Sequence, residues 1–384
     1  MKLGILNFFI ILLIFTPIFF GYDLQNGSFV TDVNILVSER ILSFPSFPLG
    51  IGIVLLGFLF TLREANLIQF ITLNLFFGLL SILIFFYTEN IRHFAYNISI
   101  LVGSSAYYLG KYYALKFDKE SLLYSLGVIL NLLIYSKLAA DIFFYDSFFS
   151  DYFLLEGFVI YNLYDYFPII YLITAAISIL LLKVNFYLSF ISFLGSFIVL
   201  FTFSRFYIFA VFLLYFFSII RIHKVKPFQS LALSILFVII LTGIFPFFAE
   251  IFNPDPSLSL RVFHWQNFFV STDIVGLFFP FINDYRSGIN TGTFHNEFLD
   301  PYSYFGIFYF ALIVIVVGKI NNLEINTRIA LIPFFVVLIF GMLIQNNFSQ
   351  PYNALLVFFL LGIFSEQNTI YSQKSSTNFQ KNVV

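Results

Sequence analysis

Residues 249–306, AEIFNPDPSLSLRVFHWQNFFVSTDIVGLFFPFINDYRSGINTGTFHNEFLDPYSYFG, form the one long polar-bearing segment of an otherwise apolar chain. Apolar runs lie on both sides, near 228–248 and 303–318. Each is long enough to suggest a membrane crossing of roughly 20 residues. The segment gathers Arg261, His264, Trp265, Arg286, His295, Glu297 and Asp300, a large share of the polar groups that a membrane enzyme could use. The rest of the chain reads as a scaffold that holds this loop, about 249–302, at one membrane face.

Composition supports that reading. Hydrophobic residues make up 60% and charged residues 10%, against about 25% charged in a soluble domain. Mean hydropathy is +0.95. The expected class is an all-α polytopic membrane protein. The absence of cysteine excludes a disulfide framework and cysteine-ligated metal. A net charge of −1 gives no reason to expect nucleic acid as a partner.

About twelve helical spans are expected at roughly 20 residues each, near 4–20, 44–62, 67–87, 94–114, 121–140, 166–182, 185–202, 206–220, 228–248, 303–318, 329–345 and 353–364. The polar loop then falls between the ninth and tenth. Lys2 and the run 4–20 resemble a signal peptide, but no small-residue cleavage site follows, so a retained first span is expected.

Positive charge in short connections marks the cytoplasmic side. With the N terminus inside, the inner connections carry Arg63, Lys111, Lys116, Lys119, Lys183, Arg221, Lys224, Lys226, Lys319 and Arg328. The outer ones carry mostly acid, including Asp23, Glu39, Asp146, Glu156, Glu250, Asp284 and Asp300. The polar loop therefore faces outward. Residues 1–365 read as a single integral membrane domain, and 366–384, polar and rich in Ser, Asn and Gln, as a disordered cytoplasmic tail.

No P-loop, dinucleotide-binding glycine pattern or zinc spacing such as HExxH is present. Three outward-facing groups remain. Arg205, in LFTFSRFYIF, lies between two apolar spans. An arginine at membrane depth costs on the order of 3 kcal/mol or more without a partner, so it either snorkels to the interface or binds an anion there. In the second group, Arg261, His264 and Trp265 share one face if the stretch is helical. Trp265, the only Trp, suits interfacial anchoring or stacking on a sugar ring. The third group is His295, Asn296, Glu297 and Asp300, just ahead of the next span and its Gly306.

The motifs are Ser204-Arg205 between two spans, then S-x-R-x-x-x-W (Ser259 to Trp265) opening a large outer loop, then H-N-x-F-L (His295 to Leu299) ahead of an aromatic, glycine-bearing span. Together they resemble the O-antigen polymerase and O-antigen ligase superfamily of bacterial surface-polysaccharide enzymes, most strongly over about 185–318. The large glycine-rich region that this family carries before the His appears here only as Gly276, Gly288 and Gly292.

The resemblance implies glycosyl transfer from a polyprenyl-pyrophosphate-linked oligosaccharide at the outer face of the bacterial cytoplasmic membrane. It implies membrane lipid as surroundings, and a flippase and a chain-length regulator as protein partners. Arg205 and Arg261 match the family motifs and would hold the pyrophosphate, since a guanidinium binds phosphate oxygens in pairs and stays charged. Arg286 is a further candidate, although Asp284 could pair with it. Fixed cations stabilise the leaving group as its charge grows, so neither metal nor organic cofactor is expected. His295 is the expected base for the acceptor hydroxyl, with Glu297 or Asp300 to orient or replace it. His264, Trp265 and Asn296 complete the expected substrate contacts. A polymerase joining repeat units is favoured over a ligase that delivers the finished glycan to lipid A core. A lipid-linked oligosaccharide flippase is the alternative from another class. It would place ionisable groups inside its spans, whereas here they cluster in one outer loop and one outer turn.

Overall fold

The computed structural model describes residues 3–15, 21–23, 28–30, 42–43, 46–62, 66–88, 93–144, 168–202, 205–220, 256–271, 273–280, 298–321, 323, 325–341 and 351–365. They are mostly helical. In chain order the elements are α1 (Ile5–Phe15), β1 (Gly21–Asp23), β2 (Ser28–Val30), β3 (Leu42–Ser43), α2 (Ser46–Leu59), α3 (Leu67–Thr88), α4 (His93–Lys116), α5 (Lys119–Phe144), α6 (Pro168–Leu181) and α7 (Phe186–Ser196). A 3-10 turn (Phe197–Thr202) leads into α8 (Arg205–Ile220). Then come α9 (Pro256–Ser271), α10 (Ile274–Phe278), α11 (Leu299–Phe305), α12 (Phe308–Asn321), α13 (Ile325–Gly341) and α14 (Pro351–Phe364). The expected span 228–248 and the tail 366–384 lie outside the described residues.

The non-helical addition is a small antiparallel sheet of order β2-β1-β3, with Tyr22 opposite both Phe29 and Leu42. It occupies the connection after α1, which hydropathy alone reads as a plain loop.

Helix boundaries follow the apolar runs because a backbone shielded from water must satisfy its hydrogen bonds internally. They end where polar residues allow another partner. Asn185 caps α7 through the Leu188 N–H at 2.9 Å, and Asp273 caps α10 through the Gly276 N–H at 2.6 Å. Such caps are worth about 1 kcal/mol each.

Contacts along the helices give their relative directions. Helices α3 and α4 are antiparallel: Asn74 donates to Ser104 Oγ at 3.3 Å, and Asn97 to Ser81 Oγ closer to the connecting turn. Helices α4 and α14 are parallel and form the most extensive pair among the described elements. A Cβ at Gly110 would fall against the Phe359 carbonyl, and one at Gly362 against the Tyr107 carbonyl, both well inside contact distance. Two glycines therefore bring the two backbones together, the usual device of close helix crossings in apolar surroundings. Beside this pair, α5, α6, α7 and α8 share a buried polar seam. Asn131 donates to Ser192 Oγ at 2.7 Å, and the Tyr215 hydroxyl lies 2.9 Å from Ser178 Oγ and 3.0 Å from Ser196 Oγ. Each such bond contributes on the order of 1 kcal/mol.

Several of the described helices carry exposed apolar faces. Helix α3, 22 residues with a mean hydropathy of 2.2 over its best window, is the one helix among the described residues long and apolar enough to cross a membrane by itself. It is mostly uncovered: Ile68 is 80% and Phe86 79% exposed, with Leu79 and Leu83 between them also open. Further exposed apolar residues lie on α7 (Phe186, Tyr187, Phe190), α8 (Phe209, Phe216) and α12 (Phe310, Val314). The shorter apolar helices include α1, α6, α7, α8, α12 and α14.

Candidate functional site

Pro256 begins α9, where its missing N–H costs nothing. The motif stretch Ser259–Trp265 lies inside this helix, so the face shared by residues 261, 264 and 265 is realised in the backbone. The side chain of Arg261 lies outside the described set. His264 is partly covered and stands beside Phe263, ring centroids 5.8 Å apart. Partial burial lowers its pKa from the ordinary value of 6.5, which favours neutral imidazole at neutral pH.

Trp265 is only 2% exposed. Its ring is packed within the protein rather than set out at an interface. One turn further, Phe268 is buried and meets Tyr302 of α11 edge-on, centroids 6.1 Å apart. Two aromatic residues thus seat α9 against the segment that follows the expected catalytic His.

Helix α11 is the pivot. Its Phe305 packs on Phe77 of α3 at 5.2 Å, and its Tyr304 on Tyr96 of α4 at 5.5 Å. It stops at Gly306, whose φ of +58° is the left-handed region that a side chain disfavours. Gly306 donates to the Tyr302 carbonyl at 2.7 Å, and Ile307 donates to the Phe278 carbonyl of α10 at 3.4 Å. A Cβ at Gly306 would collide with that same carbonyl. The expected span near 303–318 is therefore broken in two, and the end of α10 is seated on the break.

Asp300, in the first turn of α11, is fully buried. Sequence reasoning ranked it behind His295 as an orienter or substitute base. A carboxylate enclosed in a mostly apolar protein needs compensation, and the start of a helix supplies some. The available signal was an acidic residue directly ahead of an apolar run, which a solvated cap also shows.

The remaining candidates divide as follows. Arg205 is the first residue of α8, a helix that packs on α6, α13 and the 3-10 turn; its side chain is not among those described. Arg286, His295, Asn296 and Glu297 lie outside the described residues. The Phe268–Tyr302 contact thus brings α9, which carries His264 and Trp265, to α11, whose first turn holds Asp300. Glu297 and Asn296 immediately precede the described Phe298 in the chain.

Below α11 a cleft of about 160 Å³ runs between α3, α4 and α12, with α13 and α14 behind. Phe298 and Pro301 line one end, and Lys319 the other.

The chain matches no protein-family model, no curated protein and no solved structure.

Proposed function

We propose that this chain is a multi-pass membrane glycosyltransferase with about twelve spans, each needing roughly 20 apolar residues. In this reading it joins polyprenyl-pyrophosphate-linked oligosaccharide repeat units at the outer face of the bacterial cytoplasmic membrane. The observation that carries the proposal is the seating of the motif helix α9 on α11 through Phe268 and Tyr302. It joins the Arg261 segment to the segment that directly follows His295, although some thirty residues of loop separate them. The membrane part is supported by the uncovered apolar faces of α3, α7, α8 and α12, since contiguous exposed apolar surface of this extent belongs in a non-aqueous setting.

The chemistry follows from the residues. Arg261 and Arg205 hold the pyrophosphate of the donor, and Arg286 adds to the positive field. As the glycosidic bond breaks, the electron pair leaves with the pyrophosphate, and the guanidinium groups stabilise the growing charge. His295 accepts the proton of the acceptor hydroxyl as that oxygen bonds to the anomeric carbon. Asn296 and Glu297 orient the His or the acceptor, with Asp300 behind them. His264 faces the same region as a neutral imidazole, and Trp265 holds α9 in place. Pyrophosphate is already a good leaving group, so the scheme needs no metal or cofactor. A flippase and a chain-length regulator are the expected protein partners.

The test is to give purified protein only lipid-linked repeat units and measure product length. A ladder of polymers supports the proposal. No extension, with transfer of preformed polymer to lipid A core instead, would identify a ligase. Movement of the substrate across vesicles without covalent change would identify a transporter.

A further inference from the structure

The break at Gly306 lies deep in the molecule, and helix α3 measures its depth. Helix α3 runs 22 residues, Leu67–Thr88, about 32 Å at about 1.5 Å per residue. That matches a hydrocarbon core of about 30 Å, so the two ends of α3 mark the two membrane surfaces. Phe77, near its middle, packs on Phe305 at 5.2 Å, and Phe76 packs on Phe308 at 5.3 Å. These aromatic residues on either side of Gly306 therefore sit at the level of the bilayer centre. Helix α12 agrees. From Phe308 to Lys319, whose charge marks the cytoplasmic surface, it covers eleven steps, about 16 Å and half of the core.

Helix α10 ends at that same level. Its Phe278 carbonyl accepts the Ile307 N–H at 3.4 Å, and Phe279 meets Phe308, ring centroids 6.4 Å apart. A backbone N–H freed by a broken helix must find a partner within the protein when hydrocarbon surrounds it. The Phe278 carbonyl is that partner. A stretch that reads in sequence as part of an outer loop thus reaches the middle of the membrane.

What α10 turns outward is apolar. Ile274 is 77% exposed, and Val275, Phe278 and Phe279 are open as well, as is Val270 at the end of α9. Through Phe279 and Phe308 this face continues onto the exposed Phe310 of α12 and Phe76 of α3. It is one surface with the faces assigned above to lipid, and such a surface belongs in a non-aqueous setting.

We propose that α10 is a re-entrant element. It enters the outer leaflet from the outer face, reaches the membrane centre at Phe278, and sets Ile274, Val275 and Phe278 against the acyl chains of that leaflet. The inference rests on the membrane reading above and not on glycosyl transfer. Asp273, the one carboxylate between residues 273 and 280, stands at the outward end and accepts the Gly276 N–H at 2.6 Å. In the chain the element lies between the Arg261 stretch and His295, so it anchors the polar loop to the outer leaflet at a point between its two motifs.

The chain has no cysteine, so a nitroxide can be attached at one engineered thiol at a time. The full chain carrying Ile274→Cys, Val275→Cys or Phe278→Cys is spin-labelled and returned to vesicles of phosphatidylethanolamine and phosphatidylglycerol. Collisions are then measured with oxygen, which concentrates in hydrocarbon, and with a nickel chelate, which stays in water. All three labels should meet oxygen as often as a label at Leu79→Cys on α3, and should lose nickel collisions as that label does. The oxygen-to-nickel ratio should rise from residue 274 to residue 278, a shift in depth of about 6 Å over four helical steps. Frequent nickel collisions at 275 and 278 would make α10 part of a solvated loop and overturn the proposal. Few collisions with either reagent would show the face covered by protein, a second copy or another stretch of this chain, and would overturn it equally. Leu79→Cys separates the two levels of failure. Nickel access there too refutes the membrane reading and the re-entrant element with it, whereas a lipid-facing Leu79 beside a solvated α10 refutes the element alone. Should Phe278→Cys disturb the packing on Ile307, the labels at 274 and 275 still decide.

Discussion

Replacing Gly110 by alanine should destabilise the bundle far more than a single methyl group ordinarily does. At this position the new Cβ meets backbone: it would lie well under 3 Å from the Phe359 carbonyl oxygen, 3.0 Å from Ile363 N and 3.1 Å from the Phe359 carbonyl carbon. A side chain could rotate away, but a helix backbone cannot. Helices α4 and α14 must then separate by about an ångström, which forfeits a quarter to a half of the dispersion energy across the contact. Overpacking of this kind reaches about 3 kcal/mol, and alanine returns about 1 kcal/mol in helix propensity. The net loss is about 2 kcal/mol. Gly362→Ala should behave alike, since its Cβ meets the Tyr107 carbonyl and lies 2.9 Å from Lys111 N. Gly78→Ala is the control. Nothing stands within 4 Å of its Cβ, so only the propensity gain of about 1 kcal/mol remains. The assay is the midpoint of loss of monodisperse protein on heating in detergent, read by size exclusion. Gly110→Ala and Gly362→Ala should fall below wild type, and Gly78→Ala should not. Equal midpoints for all three would refute the close crossing.

A reporter fused near Asn283 should behave as external, and fusions at Lys224 or at the C terminus as cytoplasmic; the reverse pattern would remove the arginines from any exported donor. Arg205→Ala and Arg261→Ala should each abolish polymer formation while the protein remains membrane-inserted. Lysine in their place should restore activity only in part, because a point charge cannot copy a bidentate fork; full activity in either alanine variant would show that the residue merely snorkels. His295→Ala should lower turnover by roughly 10²–10⁴-fold, the usual contribution of a positioned base, with donor binding retained. Wild-type activity should fall as pH drops through the pKa of that base, since imidazolium accepts no proton. His264, whose pKa is already lowered by burial, stays neutral to lower pH and should not set that limb. His264→Ala should be the milder change, and the opposite ranking would move the base to α9.

The helices were legible in the sequence because their signal is local. The apolar runs near 67–87 and 94–114 became α3 (Leu67–Thr88) and α4 (His93–Lys116), and the stretch around Arg261, left open between helix and loop by its sequence, is helical. A run of apolar residues between polar breaks needs no distant partner to be recognised. Most of the candidate site was legible only as residue types in order. His295, Glu297 and Arg286 lie outside the described residues, and their roles still rest on that order.

Tertiary structure decided what depends on partners far along the chain. Gly110 and Gly362 are ordinary helix glycines when read singly; only the α4–α14 crossing turns them into the point where two backbones meet. Trp265 suits an interface or a ligand equally by its chemistry, and the packing of α9 buries it. Gly306 appears in sequence as one glycine in an aromatic span, yet the seating of the Phe278 carbonyl on it breaks that span into α11 and α12. Asp300 reads in sequence as an outer-loop acid that could orient or replace the base, and only the fold shows it enclosed. Hydrophobic periodicity and polar breaks are properties of one segment, whereas burial and close approach are properties of pairs of segments, and no single stretch of sequence encodes the second member of the pair.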